Sequence, residues 1–182
     1  SGVTLESKVI VMPKTDTLLT SISVSPAAGH CTGVTDECTL LVIIESTDRS
    51  ARSWRVNGMV APTLIPPKTG GDAGPWHCNG GGATACASPD EHDIELLPDG
   101  QLLMAARVGV FTPLFMARSA DRGRSWVPYT RQPMWSVFPK LLRLSNGVVL
   151  LASGRPGIML WSSDDGHGDT WMQHNLAAVH NQ

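Results

Sequence analysis

An all-β fold assembled from repeated four-stranded antiparallel units is predicted by three observations on this 182-residue chain. Short apolar or alternating runs are punctuated throughout by Gly, Pro, Asn and Asp, the pattern of strands and tight turns. No segment carries a helical period. One strand–turn pattern also returns at a fixed interval: its turn glycine recurs from Gly100 to Gly147 and its closing tryptophan from Trp126 to Trp171, a period of 45 to 47 residues. Four strands at that period describe a β-propeller blade, which buries both faces only by stacking on neighbours.

The clearest blade, residues 92–128, reads as Asp93 to Leu97, a Pro98-Asp99-Gly100 turn, Gln101 to Val108, Pro113 to Ser119, and Trp126-Val127. A second, residues 139–175, reads as Lys140 to Leu144, a Ser145-Asn146-Gly147 turn, Val148 to Gly154, Ile158 to Ser162, and Trp171 to Gln173. A looser copy, residues 8–57, runs Lys8 to Met12, a Lys14-Thr15-Asp16 turn, Thr17 to Val24, Thr39 to Glu45 and Trp54 to Val56. It carries a cysteine-containing insertion between its second and third strands. Residues 58–91 read as an extended Pro- and Gly-rich insertion, and residues from Asn175 onward as an inter-blade connection. The glycines Gly80 to Gly82 make no phosphate loop, because no Gly-Lys-Ser/Thr follows and no helix begins there.

Three blades across residues 1–182 leave the outer faces of the first and last apolar. A partial propeller is therefore expected. The remaining blades, of about six in a full ring, come from the same longer protein or from associated chains.

Composition narrows the function classes. With 42% hydrophobic and 16% charged residues the chain can build a core. A net charge of -2 without a basic run leaves no footprint for nucleic acid or an anionic membrane. The longest apolar stretches, Leu40 to Ile44 and Gly147 to Ala152, are far too short for a membrane span. The four cysteines fall as close pairs, Cys31 with Cys38 and Cys78 with Cys86. Local disulfides are sterically feasible, and four cysteines allow three connectivities. Oxidised pairs imply an extracellular or secretory setting, and free thiols a cytosolic one. His77, Cys78, Cys86 and His92 lack the short ligand spacing that pre-forms a zinc clamp, so neither metal nor other cofactor is expected.

Ser119-Ala120-Asp121-Arg122-Gly123-Arg124-Ser125-Trp126 matches a Ser-x-Asp-x-Gly-x-Thr-Trp hairpin, with Ser125 in the Thr position. Two degenerate copies occupy the same place in their blades. One is built on Ser46, Asp48 and Trp54, with one extra residue and no Gly; the other on Ser162, Asp164, Gly166 and Trp171, with two extra. The logic is local: Ser and Asp side chains bond hairpin amides, Gly supplies a positive φ, and Trp packs beneath the turn. These hairpins resemble the BNR or Asp-box repeat of the sialidase (neuraminidase) superfamily, where the boxes are structural.

That resemblance implies a six-bladed propeller holding a carboxylated sugar through three arginines, with a Tyr nucleophile, a Glu that polarises it and an Asp acid/base. Counted from Asp99-Gly100, Glu91 falls at the position of the polarising Glu and Arg107 at the second arginine. Arg155, in Ser153-Gly154-Arg155-Pro156-Gly157, falls at the third. No Arg-Ile-Pro supplies the first arginine and no Asp matches the acid/base. The single tyrosine, Tyr129, stands on the wrong side of its blade for the nucleophile. The resemblance thus implies a sialidase-like glycoside hydrolase domain recognising sialic acid or another acidic glycan, inactive alone unless a longer protein supplies the missing groups. Two alternatives stand beside it: a non-catalytic Asp-box propeller binding glycan or protein in an extracellular assembly, and an enzyme acting on uronic-acid polysaccharide.

Overall fold

A computed structural model describes residues 2–25, 39–60, 91–108, 114–129, 134, 137–154 and 157–180. The described residues form three antiparallel sheets that stack as consecutive blades. The first contains β1 (Gly2–Leu5), β2 (Ile10–Val11), β3 (Leu18–Ser25), β4 (Leu40–Ser46) and β5 (Arg55–Val60). Both β1 and β2 pair with β3, so together they make one interrupted inner strand. The second sheet orders β6 (His92–Leu96), β7 (Leu102–Ala106), β8 (Phe115–Ser119) and β9 (Val127–Tyr129); the third orders β10 (Val137–Arg143), β11 (Val149–Gly154), β12 (Met159–Ser163) and β13 (Met172–Asn175).

The meander follows from turn chemistry. Gly100 and Gly147 adopt φ of 87° and 92°, and their amides bond back to the carbonyls of Leu97 and Leu144 at 3.0 Å. A residue with a Cβ is disfavoured at such angles, which is why glycine ends both turns.

The middle blade is apolar on both sides because it is covered on both. Leu102, Met104 and Ala106 of β7 join Leu19, Leu41 and Ile43 of the first blade in one core, while Leu103 and Ala105 join Leu141, Val149 and Leu151 of the third in another. Adjacent residues of a strand point to opposite faces, so β6 and β7 are buried at every position. Among the described residues, nothing supplies this second cover to the end blades. Val3, Leu5, Val11 and Val56 on the first and Leu142, Ile158 and Met172 on the third remain exposed.

Three details differ from the sequence reading. β5 continues to Val60, past the boundary placed at residue 57, and β1 adds an edge pairing ahead of residue 8. Residues Leu176–His180 form a short helix, α1, capped by the Asn175 side chain, which accepts the Ala178 amide at 3.0 Å. Five residues are too few to show a helical period, so only the capping Asn could have announced it. No helix among the described residues is long and apolar enough to cross a membrane.

Candidate functional site

Each blade has two edges, and different chemistry stands at each. At one edge lie the β8–β9 hairpin and its counterparts. Ser119 Oγ meets Asp121 Oδ1 at 2.8 Å and accepts the Gly123 amide at 2.7 Å; Asp121 accepts the Ser125 amide at 2.9 Å, and Trp126 Nε1 donates to the Gly123 carbonyl at 3.2 Å. Burial, which raises the Asp121 pKa, is outweighed by the hydrogen bonds from Ser125 and Ser119, which bring it down to about 2. In the first blade Asp48 accepts the Ser50 amide at 2.9 Å and Trp54 Nε1 donates to the Ala51 carbonyl at 3.0 Å. Ala51 holds the positive φ there, at 54°.

The third hairpin corrects the sequence reading by one residue. Ser163, not Ser162, accepts the Gly168 amide, at 3.1 Å, and Asp165, not Asp164, accepts the Thr170 amide, at 2.7 Å. Gly168, not Gly166, offers its carbonyl to Trp171 Nε1 at 2.8 Å. The pleat decides this. Ser163 pairs with Val149 on the buried face, whereas Ser162 pairs with Leu150 on the other and its hydroxyl meets His174 Nε2 at 2.9 Å. Asp164 is exposed. The loop therefore has one extra residue relative to the second hairpin, the same length as the first.

Tyr129 belongs to this edge. Its hydroxyl donates to Asp169 at 2.9 Å, and Arg118 lies over its ring at 4.2 Å while pairing with Asp169 at 2.7 Å. Burial first, then Asp169, pushes the phenol up to about 12.

Glu91 and Arg107 lie at the opposite edge, about 15 Å away along a five-residue strand at about 3.3 Å per residue. The Arg107 amide donates to the Glu91 carbonyl at 2.8 Å, closing the β6–β7 ladder, and Arg107 Nη1 pairs with Glu91 Oε1 at 2.8 Å. Glu91 Oε2 accepts the backbone amide of Phe138 on β10 at 2.7 Å. Both carboxylate oxygens thus accept donors. Side-chain exposure is only 16% for Arg107 and 9% for Glu91, so the pair is shielded from bulk water.

Arg155 lies outside the described residues, as do Cys31, Cys38, Cys78 and Cys86. Gly154, directly before Arg155, pairs with Val137, the neighbour of Phe138.

Sequence reasoning missed that Glu91 is one rung of a ladder. Glu91, Asp93 and Glu95 share one face of the inner strand, and each accepts a β10 amide: Phe138 at 2.7 Å, Leu141 at 2.9 Å and Arg143 at 3.0 Å. The bulge between Val137 and Lys140 accounts for the uneven spacing of the donors. Asp93 also accepts Ser7 Oγ at 2.9 Å and the Lys8 amide at 3.2 Å from the first blade, and Lys8 Nζ reaches Asp93 at 3.3 Å and Glu95 at 2.8 Å. Asp93 thereby ties three inner strands together. Acids at alternate positions of an otherwise apolar strand were the available signal, since unpaired carboxylates would not be tolerated there.

No family model and no curated protein matches the chain. Solved structures do. A protein of unknown function from Dyadobacter fermentans matches with TM-score 0.67 at 16% identity, over 94% of this chain and 41% of that one. The alpha-L-arabinanase of Penicillium chrysogenum, complexed with arabinobiose, matches with TM-score 0.55 at 14% identity, over 90% and 46%. Trypanosoma rangeli sialidase, in complex with sialic acid, matches with TM-score 0.51 at 14% identity, over 85% and 22%. The chain spans less than half the length of each. At these identities the likeness is one of fold, and with the three stacked antiparallel sheets it makes this chain a partial β-propeller.

Proposed function

We propose that the chain contributes a carboxylated-sugar site to a carbohydrate-active propeller of sialidase type, with the site at the Glu91–Arg107 edge. The observation that carries this reading is the shielded Glu91–Arg107 pair standing at the end of an inner strand, opposite the Ser–Asp–Trp hairpins. Those hairpins serve as Asp boxes, structural closures that leave the other edge to chemistry. Arg107 and Arg155 bind the sugar carboxylate, for which guanidinium offers paired donors. Because Glu91 offsets the charge of Arg107, the preference for an anion over a neutral sugar falls mainly to Arg155. Glu91 orients Arg107 and supplies the negative charge that would polarise a nucleophile.

The test is calorimetric binding of N-acetylneuraminic acid, glucuronate oligosaccharides and arabinobiose, with hydrolysis of a fluorogenic sialoside as a second readout. Binding of N-acetylneuraminic acid that Arg155→Ala weakens strongly is the expected result. Binding of the glucuronate oligosaccharides alone moves the assignment to uronic-acid polysaccharides, and equal binding of arabinobiose removes it.

One observation favours recognition without cleavage by this chain. Tyr129, its single tyrosine, has its hydroxyl engaged by Asp169 of the third hairpin. The second reading, a glycan-binding propeller, predicts sialoside binding with no turnover.

A further inference from the structure

Phe138 is an unusual residue to find at the end of an inner strand. It has φ of 50°, a left-handed conformation that costs a bulky side chain energy, and its ring is 60% exposed. Neither the hydrophobic core nor a turn requires it: the residue stands inside β10, at the bulge between Val137 and Lys140. Bulges re-aim side chains, and this one leaves exposed an aromatic residue whose backbone amide bonds the Glu91 carboxylate. The conformation is held by the 2.7 Å bond from the Phe138 amide to Glu91, whose other oxygen holds Arg107. One carboxylate therefore holds both a guanidinium and the backbone that carries an aromatic ring.

We propose that Phe138 is a sugar-stacking residue of this site. The inference rests on the reading of the Glu91–Arg107 edge as a carboxylated-sugar site and adds its second half. A pyranose ring carrying a carboxylate has two kinds of surface, a charged group for Arg107 and an apolar face of C–H bonds. An exposed aromatic residue whose backbone is held by the carboxylate that pairs with Arg107 offers a ring to that face, and strain retained in the backbone is explained by the contact it makes available. Glu91 is then a positioning residue for Phe138 as well as for Arg107.

The experiment compares wild type with Phe138→Ala, Phe138→Tyr, Phe138→Gly and Arg107→Ala, measuring affinity for N-acetylneuraminic acid and glucuronate oligosaccharides, the urea midpoint, and mass in solution. Loss of the ring in Phe138→Ala is expected to weaken binding about tenfold, and Phe138→Tyr to retain it. Phe138→Gly separates stacking from scaffolding: glycine accepts φ of 50° without strain, so its urea midpoint stays at or above wild type while its affinity falls as in Phe138→Ala. Undiminished affinity in Phe138→Ala, with Arg107→Ala impaired, overturns the stacking role and leaves the site reading standing. A drop in solution mass in Phe138→Ala identifies the ring as a subunit contact and also overturns it. Failure of wild type to bind either acidic sugar overturns the site reading and this inference together.

Discussion

The backbone of Gly58, on the outer strand of the first blade, lies against the carbonyl of Gly123 in the hairpin of the second: a Cβ on Gly58 would stand 2.1 Å from that oxygen. The Asn57 side chain reinforces the contact by donating to the Arg122 carbonyl at 2.7 Å. Gly58→Ala is therefore expected to destabilise the chain by about 1–3 kcal/mol through overpacking of backbone that cannot give way. Gly2→Ala, with nothing within 4 Å of the added carbon, is the matched control and leaves the urea midpoint unchanged.

The hairpins dock each blade on the one before it, and the glycine they use shows this. A Cβ on Gly123 would meet Ile43 at 3.0 Å, and one on Gly168 would meet Leu103 at 2.9 Å. Both also have positive φ. Gly123→Ala should lose about 1–3 kcal/mol in urea unfolding, combining strain and crowding. Ala51, already at φ 54°, behaves oppositely: Ala51→Gly relieves strain and changes stability by no more than about 1 kcal/mol, upward.

Asp93 is the buried junction of three inner strands, and its partners differ in kind. Removing the carboxylate in Asp93→Ala leaves the amides of Lys8 and Leu141 and the Ser7 hydroxyl without their acceptor, and is expected to cost about 3–5 kcal/mol. Lys8→Met removes only the partly exposed ammonium and keeps those three donors in place, so its cost is markedly smaller. Equal midpoints for the two variants would contradict this ordering.

Tyr129 is the only tyrosine, so its ultraviolet titration is free of overlap. Its folded pKa of about 12 lies above the ordinary 10.0. A raised phenol contributes stability that is complete below pH 10 and is lost as pH rises towards 12. The absorbance midpoint should therefore fall from about 12 in the native chain to about 10 in urea, and Asp169→Asn should lower the native value.

Acid acts on the opposite edge of the scale. Asp121 has its folded pKa depressed from 3.8 to about 2, so the stability it contributes is present above pH 3.8 and disappears as pH falls towards 2. Unfolding curves across that window should flatten in Asp121→Asn, which cannot protonate.

Much of the architecture was legible because turns and pleats are local. The Gly100 and Gly147 turns and the Ser–Asp–Trp hairpins each depend on residues within a few positions of one another, where side-chain type restricts backbone conformation directly, and their recurrence supplies the 45-to-47-residue period. Even so, the third hairpin was misread by one residue. Adjacent Ser162-Ser163 and Asp164-Asp165 offer two registers of equal composition, and burial of one strand face selects Ser163, whose hydroxyl then meets Asp165.

Alone, the sequence determined that this chain is all-β, repeats as blades, and carries Glu91 and Arg107 in a register that suggested a shared site. Tertiary structure decided what those residues touch. What the acids at positions 91, 93 and 95 bond cannot be read until β10 is laid beside them, because the donors they satisfy there are backbone amides 47 or 48 residues away. Backbone amides carry no sequence signature. The same holds for Phe138, whose letter resembles any core aromatic, and whose positive φ and exposure arise only where a bulge, an inner strand and the Glu91 carboxylate meet.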